Sequence, residues 1–440
     1  MIDLLSLLRG TSNLGQVQAN SYSAQDFNIE MGTNTQTVCL VSPYRGRGAG
    51  GSDNSDRLGL ESQLSGHGFS VISVYSTRHP PSLGRSDEVS RYPVSLPRFS
   101  EVMFRKASML ELAYSIAVFL KLKNILASRT LDVIIFHGSG FAALIYLTLR
   151  RSNKPVTIYT DGGPMPDFPS WLIRVASYLM HWVVLGKVDG IILFGSKAFA
   201  LSMSRKYPMN RSKILVSPPS IKVGFLTGKK SPKVQANLRR APEAILYVAS
   251  ITPRKNQLSL LKAAPRILDR HPESQFVFVG PILHKEYYDE LLRFVRERGL
   301  RHVTFTGVIS DDELLRYYSA ADVVVLLSLR EGLSKTIVEA MMCGKAIVAS
   351  SIPENLDCAK NGDEILFVNP NDEVGIADAI CSLLDNPGMR EQLGANARRT
   401  GHQSYDFDTI SASLMMFIEK TVRAKRKKWH LKLENQRRMN

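Results

Sequence analysis

Two carboxylates with seven residues between them, Glu331 and Glu339, are the most telling pair in this 440-residue chain. They lie in the stretch Ala321 to Ser350, ADVVVLLSLREGLSKTIVEAMMCGKAIVAS. Ala321 to Leu327 is an unbroken aliphatic run, the mark of a strand buried on both faces of a parallel sheet. Glu331-Gly332-Leu333-Ser334 reads as a turn. Ser334 can cap a helix beginning near Lys335, and Gly344 suits its left-handed exit. Ala346 to Ala349 is the next strand, so the stretch has the length of a βαβ unit. The crevice at the carboxyl ends of such strands is where α/β proteins bind ligands. Glu331 borders that crevice, and Glu339 sits one to two turns into the helix. Flanked by Val338, Ala340, Met341 and Met342, the Glu339 carboxylate is costly unless something hydrogen-bonds it.

The elements that must position this pair repeat along the chain. Thr37–Ser42, Phe69–Tyr75, Leu131–Phe136, Pro155–Thr160, Gly190–Ser196 and Lys213–Pro218 read as strands of a first half. Ile245–Ala249, Gln275–Gly280, Val303–Gly307, Ala321–Leu327, Ala346–Ala349 and Ile365–Val368 read as strands of a second. Helical patterns separate them, which predicts two α/β domains with parallel sheets. Residues 1–35 are rich in Ser, Asn and Gln and read as an N-terminal extension. Residues 36–225 form the first domain, the polar stretch 226–243 a linker, and 244–400 the second domain. An amphipathic helix is expected within 401–422, and 423–440 is a basic tail. After the first strand comes Pro43-Tyr44-Arg45-Gly46-Arg47-Gly48-Ala49-Gly50-Gly51, whose glycines suit close backbone approach to a ligand.

Composition narrows the function. The net charge of +16 calls for anionic partners. Arg423 to Arg438 carries eight Lys and Arg against Glu434 alone. That end suits an anionic membrane surface, whereas no nucleic-acid recognition motif accompanies the charge, and none is expected as a partner. The apolar stretches Val133–Leu149 and Trp171–Phe194 read as buried α/β elements rather than membrane spans. Four scattered cysteines show neither a disulfide framework nor metal-ligand spacing. The expectation is a cytoplasmic protein, peripheral on the inner face of a membrane, with no metal and no cofactor.

Glu331-Gly332, Thr336, Glu339-Ala340-Met341 and Gly344 together resemble the donor-binding motif of retaining GT-B glycosyltransferases of family 4 (glycosyl transferases group 1). The resemblance covers about residues 37–420 and is specific from Ile245 to Leu384. It implies two Rossmann-like domains facing across a cleft, with the last helix crossing back to the first. It implies a hexosyl transfer from a nucleotide-diphosphate sugar, bound as co-substrate, to a hydroxyl of a glycan, lipid-linked or polysaccharide-precursor acceptor. Glu339 would hold the ribose hydroxyls and Glu331 the hydroxyls of the donor sugar. The backbone N–H groups from Gly332, Leu333 and Ser334 to Thr336, at a helix N-terminus, would meet phosphate or sugar oxygens. Lys255 matches the family's diphosphate-gripping Lys. Ser250 stands where the family has its Arg, with Arg254 as a nearby substitute. Gly307 and Val308 would contact the nucleobase, Gly50 and Gly51 the donor's sugar and phosphate, and His137 the donor sugar from the facing domain. Asp357 falls where the family places a further acid. Asp161 and Pro219-Ser220 depart from the family pattern on the acceptor side. An epimerase or phosphorylase on the same fold, or a catalytically silent scaffold, are the competing readings. Donor turnover without acceptor would mark the first, and donor binding without turnover the second.

Overall fold

The computed structural model describes residues 36–42, 60–76, 89–94, 107–150, 155–161, 171–207, 209–218 and 243–439. The expected N-terminal extension, the loop with Gly50 and Gly51, Pro219-Ser220 and all of the expected linker except Glu243 lie outside these residues.

The first domain carries β1 (Thr37–Val41), β2 (Ser70–Ser76), β3 (Val89–Val94), α1 (Ala107–Ser128), β4 (Val133–His137), α2 (Gly140–Leu149), β5 (Val156–Asp161), α3 (Trp171–Lys187), β6 (Gly190–Phe194), α4 (Lys197–Lys206) and β7 (Ile214–Ser217). Its strands pair in parallel in the order β3-β2-β1-β4-β5-β6-β7. β3 is absent from the sequence reading, because Pro93 removes a ladder donor; the structure places it at the sheet edge, where that loss is tolerated. The central strands are buried on both faces, which is why they are continuous aliphatic runs. One face packs α1 to α4; the other packs the segment at 60–66 and the end of the chain.

The second domain carries β8 (Glu243–Val248), α5 (Gln257–Arg270), β9 (Ser274–Val279), α6 (Lys285–Glu297), β10 (Val303–Gly307), α7 (Asp311–Ala320), β11 (Val323–Leu326), α8 (Lys335–Met342), β12 (Ala346–Ser350), α9 (Pro353–Leu356), β13 (Leu366–Val368), α10 (Glu373–Asp385) and α11 (Pro387–Ser404). Its sheet is also parallel, in the order β10-β9-β8-β11-β12-β13. Both sheets are therefore Rossmann-like, with the order reversing beside β1 and β8. Ligand crevices form at such reversals.

The last helix, α12 (Phe407–Met439), joins the two cores. Ile410 belongs to the second core, while Leu414, Phe417 and Ile418 are buried in the first. The helix does not stop near residue 422, as expected, but runs through the basic segment. Lys425 donates to the Pro155 carbonyl (2.7 Å) and to Asp189 (2.6 Å), and Arg426 pairs with Asp132 (2.8 Å). Those carboxylates at the amino-terminal edge of the first sheet give part of the tail a docking place that its charge alone does not reveal.

Candidate active site

β11 delivers the chain into the turn that holds Glu331, and Ser334 caps α8 by accepting from the Ile337 N–H (3.3 Å). Gly344 leaves the helix at φ +66°, the left-handed exit read from the sequence. Thr336 points inward, donating to the Val248 carbonyl at 2.7 Å and tying α8 to β8. Leu333 is half-buried, and the backbone of Gly332 to Thr336 forms the N-terminal approach to the helix.

Glu331, Lys255 and Arg254 meet. Glu331 is only 6% exposed. Its carboxylate accepts from Lys255 Nζ at 2.5 Å and lies 3.4 Å from Arg254. Burial by itself raises the Glu331 carboxyl; the Lys255 and Arg254 cations, with hydrogen bonds from Lys255 and Ser328, outweigh it and hold the group below its ordinary range. Arg254 also donates to the Arg330 carbonyl (2.8 Å), and its own carbonyl accepts from the Leu329 N–H (2.9 Å). Tyr247, buried in the core, donates to the Lys255 carbonyl and accepts from the Leu327 N–H (2.9 Å). Asn256 adopts a left-handed conformation at φ 55° and starts α5 immediately after. The cation-bearing turn is thus clamped to the end of β11 by backbone and side-chain bonds together.

Glu339 lies deeper on α8 and is buried. Tyr318, on α7, donates to it at 3.0 Å. Burial and then the Glu339 charge push the Tyr318 hydroxyl well above its usual range, so it remains a donor. Lys335 begins the helix, where a cation opposes the helix dipole. Burial pushes its ammonium down to about 8, against the pull of Glu339. Neither the Tyr318 bond to Glu339 nor a place for Lys335 in the site follows from the sequence reading. The available signal was a lysine at a helix start, between two site carboxylates.

Gly307 and Val308 stand at the carboxyl end of β10, the edge strand, away from the Lys255–Glu331 cluster. Val308 is 73% exposed. The Gly280 N–H donates to the Gly307 carbonyl (3.0 Å), holding that end beside β9.

The first domain reaches the same cleft. The Ser196 N–H donates to the Gly332 carbonyl (3.0 Å). A Cβ on Gly195 would stand 2.4 Å from the Phe199 ring of its own domain and 3.3 Å from that oxygen, so a larger residue would have to displace Phe199 and would crowd this approach. Asp357 accepts from the Ala198 N–H (2.5 Å), capping α4 across the domain boundary. Glu354, on α9, has its carboxyl raised by burial and then by the charges of Glu331 and Asp357. His137 ends β4, is 8% exposed and is held by Thr160 (Nδ1 to Oγ1, 2.7 Å), with Phe194 edge-on to its ring. Asp161, where the sequence departs from the family pattern, lies 3.8 Å from His181 of α3. The structure thus gathers Glu331, Lys255, Arg254 and the Gly332–Thr336 turn, sets Glu339 behind them, and places His137 on the facing sheet.

Residues 229–400 match the family model described as glycosyl transferases group 1. The chain is 32% identical over 168 residues to an uncharacterized glycosyltransferase of Methanocaldococcus jannaschii, a match covering 38% of this chain and 42% of that protein. The first such curated relatives are matched over about half of their own length. The alpha-D-kanosaminyltransferase of Streptomyces kanamyceticus is 31% identical over 277 residues, covering 59% of this chain and 69% of that protein. Among solved structures, Anabaena HepE in complex with UDP and glucose superposes with a TM-score of 0.69 at 16% identity, over 88% of this chain and 100% of that one. That likeness shows the GT-B fold. The kanosaminyltransferase match is longer than either domain alone, and with it the chain belongs to the glycosyl transferases group 1 family.

Proposed function

We propose that this chain is a retaining glycosyltransferase that moves a hexosyl group from a nucleotide-diphosphate sugar to a hydroxyl of a glycan, lipid-linked or polysaccharide-precursor acceptor. The observation that carries it is the pairing of Lys255 and Arg254 with Glu331 at the N-terminal approach to α8, the helix that bears Glu339. The names of the relatives, and HepE's complex with UDP and glucose, support the class of donor.

Each group then has a task. Glu339 accepts from the ribose hydroxyls, and Tyr318 fixes the carboxylate from behind. Glu331 accepts from hydroxyls of the donor sugar and keeps Lys255 and Arg254 beside it. When the bond from the anomeric carbon to the phosphate oxygen breaks, negative charge builds on the leaving diphosphate. Lys255 and Arg254 oppose that charge, an effect that grows along the reaction and so lowers the barrier. The acceptor oxygen bonds to the anomeric carbon on the same face, and its proton passes to the departing phosphate oxygen. His137 borders the sugar from the facing domain. Gly307 and Val308 meet the base, and Gly50 and Gly51 the sugar and phosphate. The exposed Lys427, Lys428 and Lys432 of α12 suit an anionic surface, and this reading places the transfer at the inner face of a membrane.

A thermal-shift screen of nucleotide sugars followed by product analysis tests this reading. One donor is expected to stabilise the protein and to yield a product whose anomeric configuration matches the donor's. An inverted product, or a new nucleotide sugar formed without acceptor, overturns it.

A further inference from the structure

We infer that the outward face of α1, α2 and α3 is a docking surface for an anionic phospholipid bilayer. The proposal does not rest on the chemistry of the cleft, and it sets lipid against α1 to α3 in place of the lysines of α12, which packs on the opposite face of the first sheet.

Solvent-facing helix stripes are normally polar. On α1 the outward positions are Leu112, Ile116 and Leu120, spaced four apart, with Leu120 55% exposed. On α3 they are Val175, Tyr178, Leu179 and Trp182, with Leu179 also 55% exposed. α2 lies between the two helices and adds exposed Leu149. Large exposed apolar groupings on soluble monomers mark interaction sites, and these stripes lie on one layer of helices.

The charge around this face selects its occupant. Residues 112–150 and 175–207 hold eight Lys and Arg against two acids, Asp132 and Asp189; Glu111, Asp161 and Asp167 lie outside these ranges. Both acids are paired with the C-terminal helix, through Arg426 and Lys425. Exposed Lys187 and Lys206 lie in the last turns of α3 and α4, and exposed Lys123 lies five residues before the end of α1. An apolar face rimmed by unopposed positive charge is what an interfacial, non-spanning contact with anionic lipid requires. A self-associating face gains nothing from placing like charges opposite one another. Tyr178 and Trp182 have the amphipathic rings that favour the headgroup region. Among the described residues no helix is long and apolar enough to cross a membrane, so the face would lie on the bilayer. Each helix begins at the carboxyl edge of the sheet. The apolar stripes therefore run from the cleft edge to the basic edge, and docking here sets the mouth of the cleft at the lipid surface.

Two single-tryptophan forms of the full chain test the proposal. W171F/W429F leaves Trp182, and W171F/W182F leaves Trp429. With phosphatidylcholine–phosphatidylglycerol vesicles, Trp182 emission is expected to shift to the blue and the protein to float with the vesicles. Phosphatidylcholine vesicles alone should give neither effect. I116E/L179E changes exposed side chains only, so it should keep the wild-type melting temperature while weakening vesicle binding roughly a hundredfold. K123E/K187E should weaken it at least about twentyfold. A shift of Trp429 without Trp182 would overturn the proposal in favour of the C-terminal helix. So would a dimer seen by sedimentation that I116E/L179E abolishes while vesicle binding persists. Vesicle binding needs no sugar donor, so its failure leaves the transfer reading standing, and the reverse holds too.

Discussion

Replacing Glu331 by Gln removes the carboxylate that Lys255 and Arg254 share, with Lys255 Nζ only 2.5 Å away. At that separation and an effective dielectric of about 20, the attraction is about 7 kcal/mol. Removing both ions from water offsets several kcal/mol of it. The Lys255 side chain is 14% exposed, so the variant leaves a largely buried cation without this partner. Breaking such a pair costs about 3 kcal/mol at the lower end. For a domain of this size that is a fall of roughly 6–12 °C in the donor-side unfolding transition. Adding Lys255→Met to E331Q should recover about 2 kcal/mol, a coupling that a double-mutant cycle measures. The acid side supplies a sign. The Glu331 carboxyl sits below its ordinary 4.5 when folded, so its contribution is whole above about that pH and is lost as pH falls through the folded value. The melting curves of wild type and E331Q should therefore converge on acidification. Equal melting temperatures at neutral pH, or a gap that does not narrow in acid, would refute the reasoning.

Glu339→Gln should weaken nucleotide-sugar binding by about 10- to 100-fold in titration calorimetry, the value of a charged hydrogen bond. Lys335 is held near 8 when folded and titrates near 10.5 when unfolded, so wild-type stability should rise between those values, where the unfolded chain binds more protons. A diphosphate beside Lys335 favours its charged form. Donor binding above pH 8 should therefore take up a proton and weaken as pH rises, and Lys335→Met should flatten both trends in calorimetry run in buffers of different ionisation enthalpy. Lys425→Ala should cost about 1–3 kcal/mol in urea unfolding, because its half-buried ammonium holds Asp189 and the Pro155 carbonyl. Arg426→Ala should cost less than about 1 kcal/mol, since that side chain is mostly exposed.

The parallel strands were legible because burial on both faces leaves no polar alternation, and runs such as Val323–Leu326 then stand out. β3 was not, because Ser90, Arg91 and Pro93 satisfy no strand pattern and only its place at the sheet edge accounts for it. The spacing of Glu331 and Glu339 is local, so the sequence carries it. The contact between Glu331 and Lys255 joins residues 76 apart and depends on β8 lying beside β11, which a linear reading does not supply. Tyr318 follows the same rule: its core position is visible in helical periodicity, its bond to Glu339 only in three dimensions. Nor does a basic run announce that two of its members will meet Asp132 and Asp189.

The two kinds of contact between the domains assign them different duties. At the cleft, the contacts among the described residues include two polar bonds: the Ser196 N–H on the Gly332 carbonyl and the Ala198 N–H on Asp357. Exchanging such bonds for water costs little, because each is worth about 1 kcal/mol net. At the far edge, α12 buries Leu414, Phe417 and Ile418 in the first core and Ile410 in the second, and adds the ion pairs of Lys425 and Arg426. Separating these would expose several large apolar side chains at roughly 1.5–3 kcal/mol each. Opening is therefore easiest at the cleft, with α12 as the fixed side. One of the contacts that such opening breaks is on Gly332, next to Glu331. The bond from the first domain and the cation–carboxylate turn thus share one stretch of chain, and that turn is clamped from within its own domain by Tyr247 and Arg254.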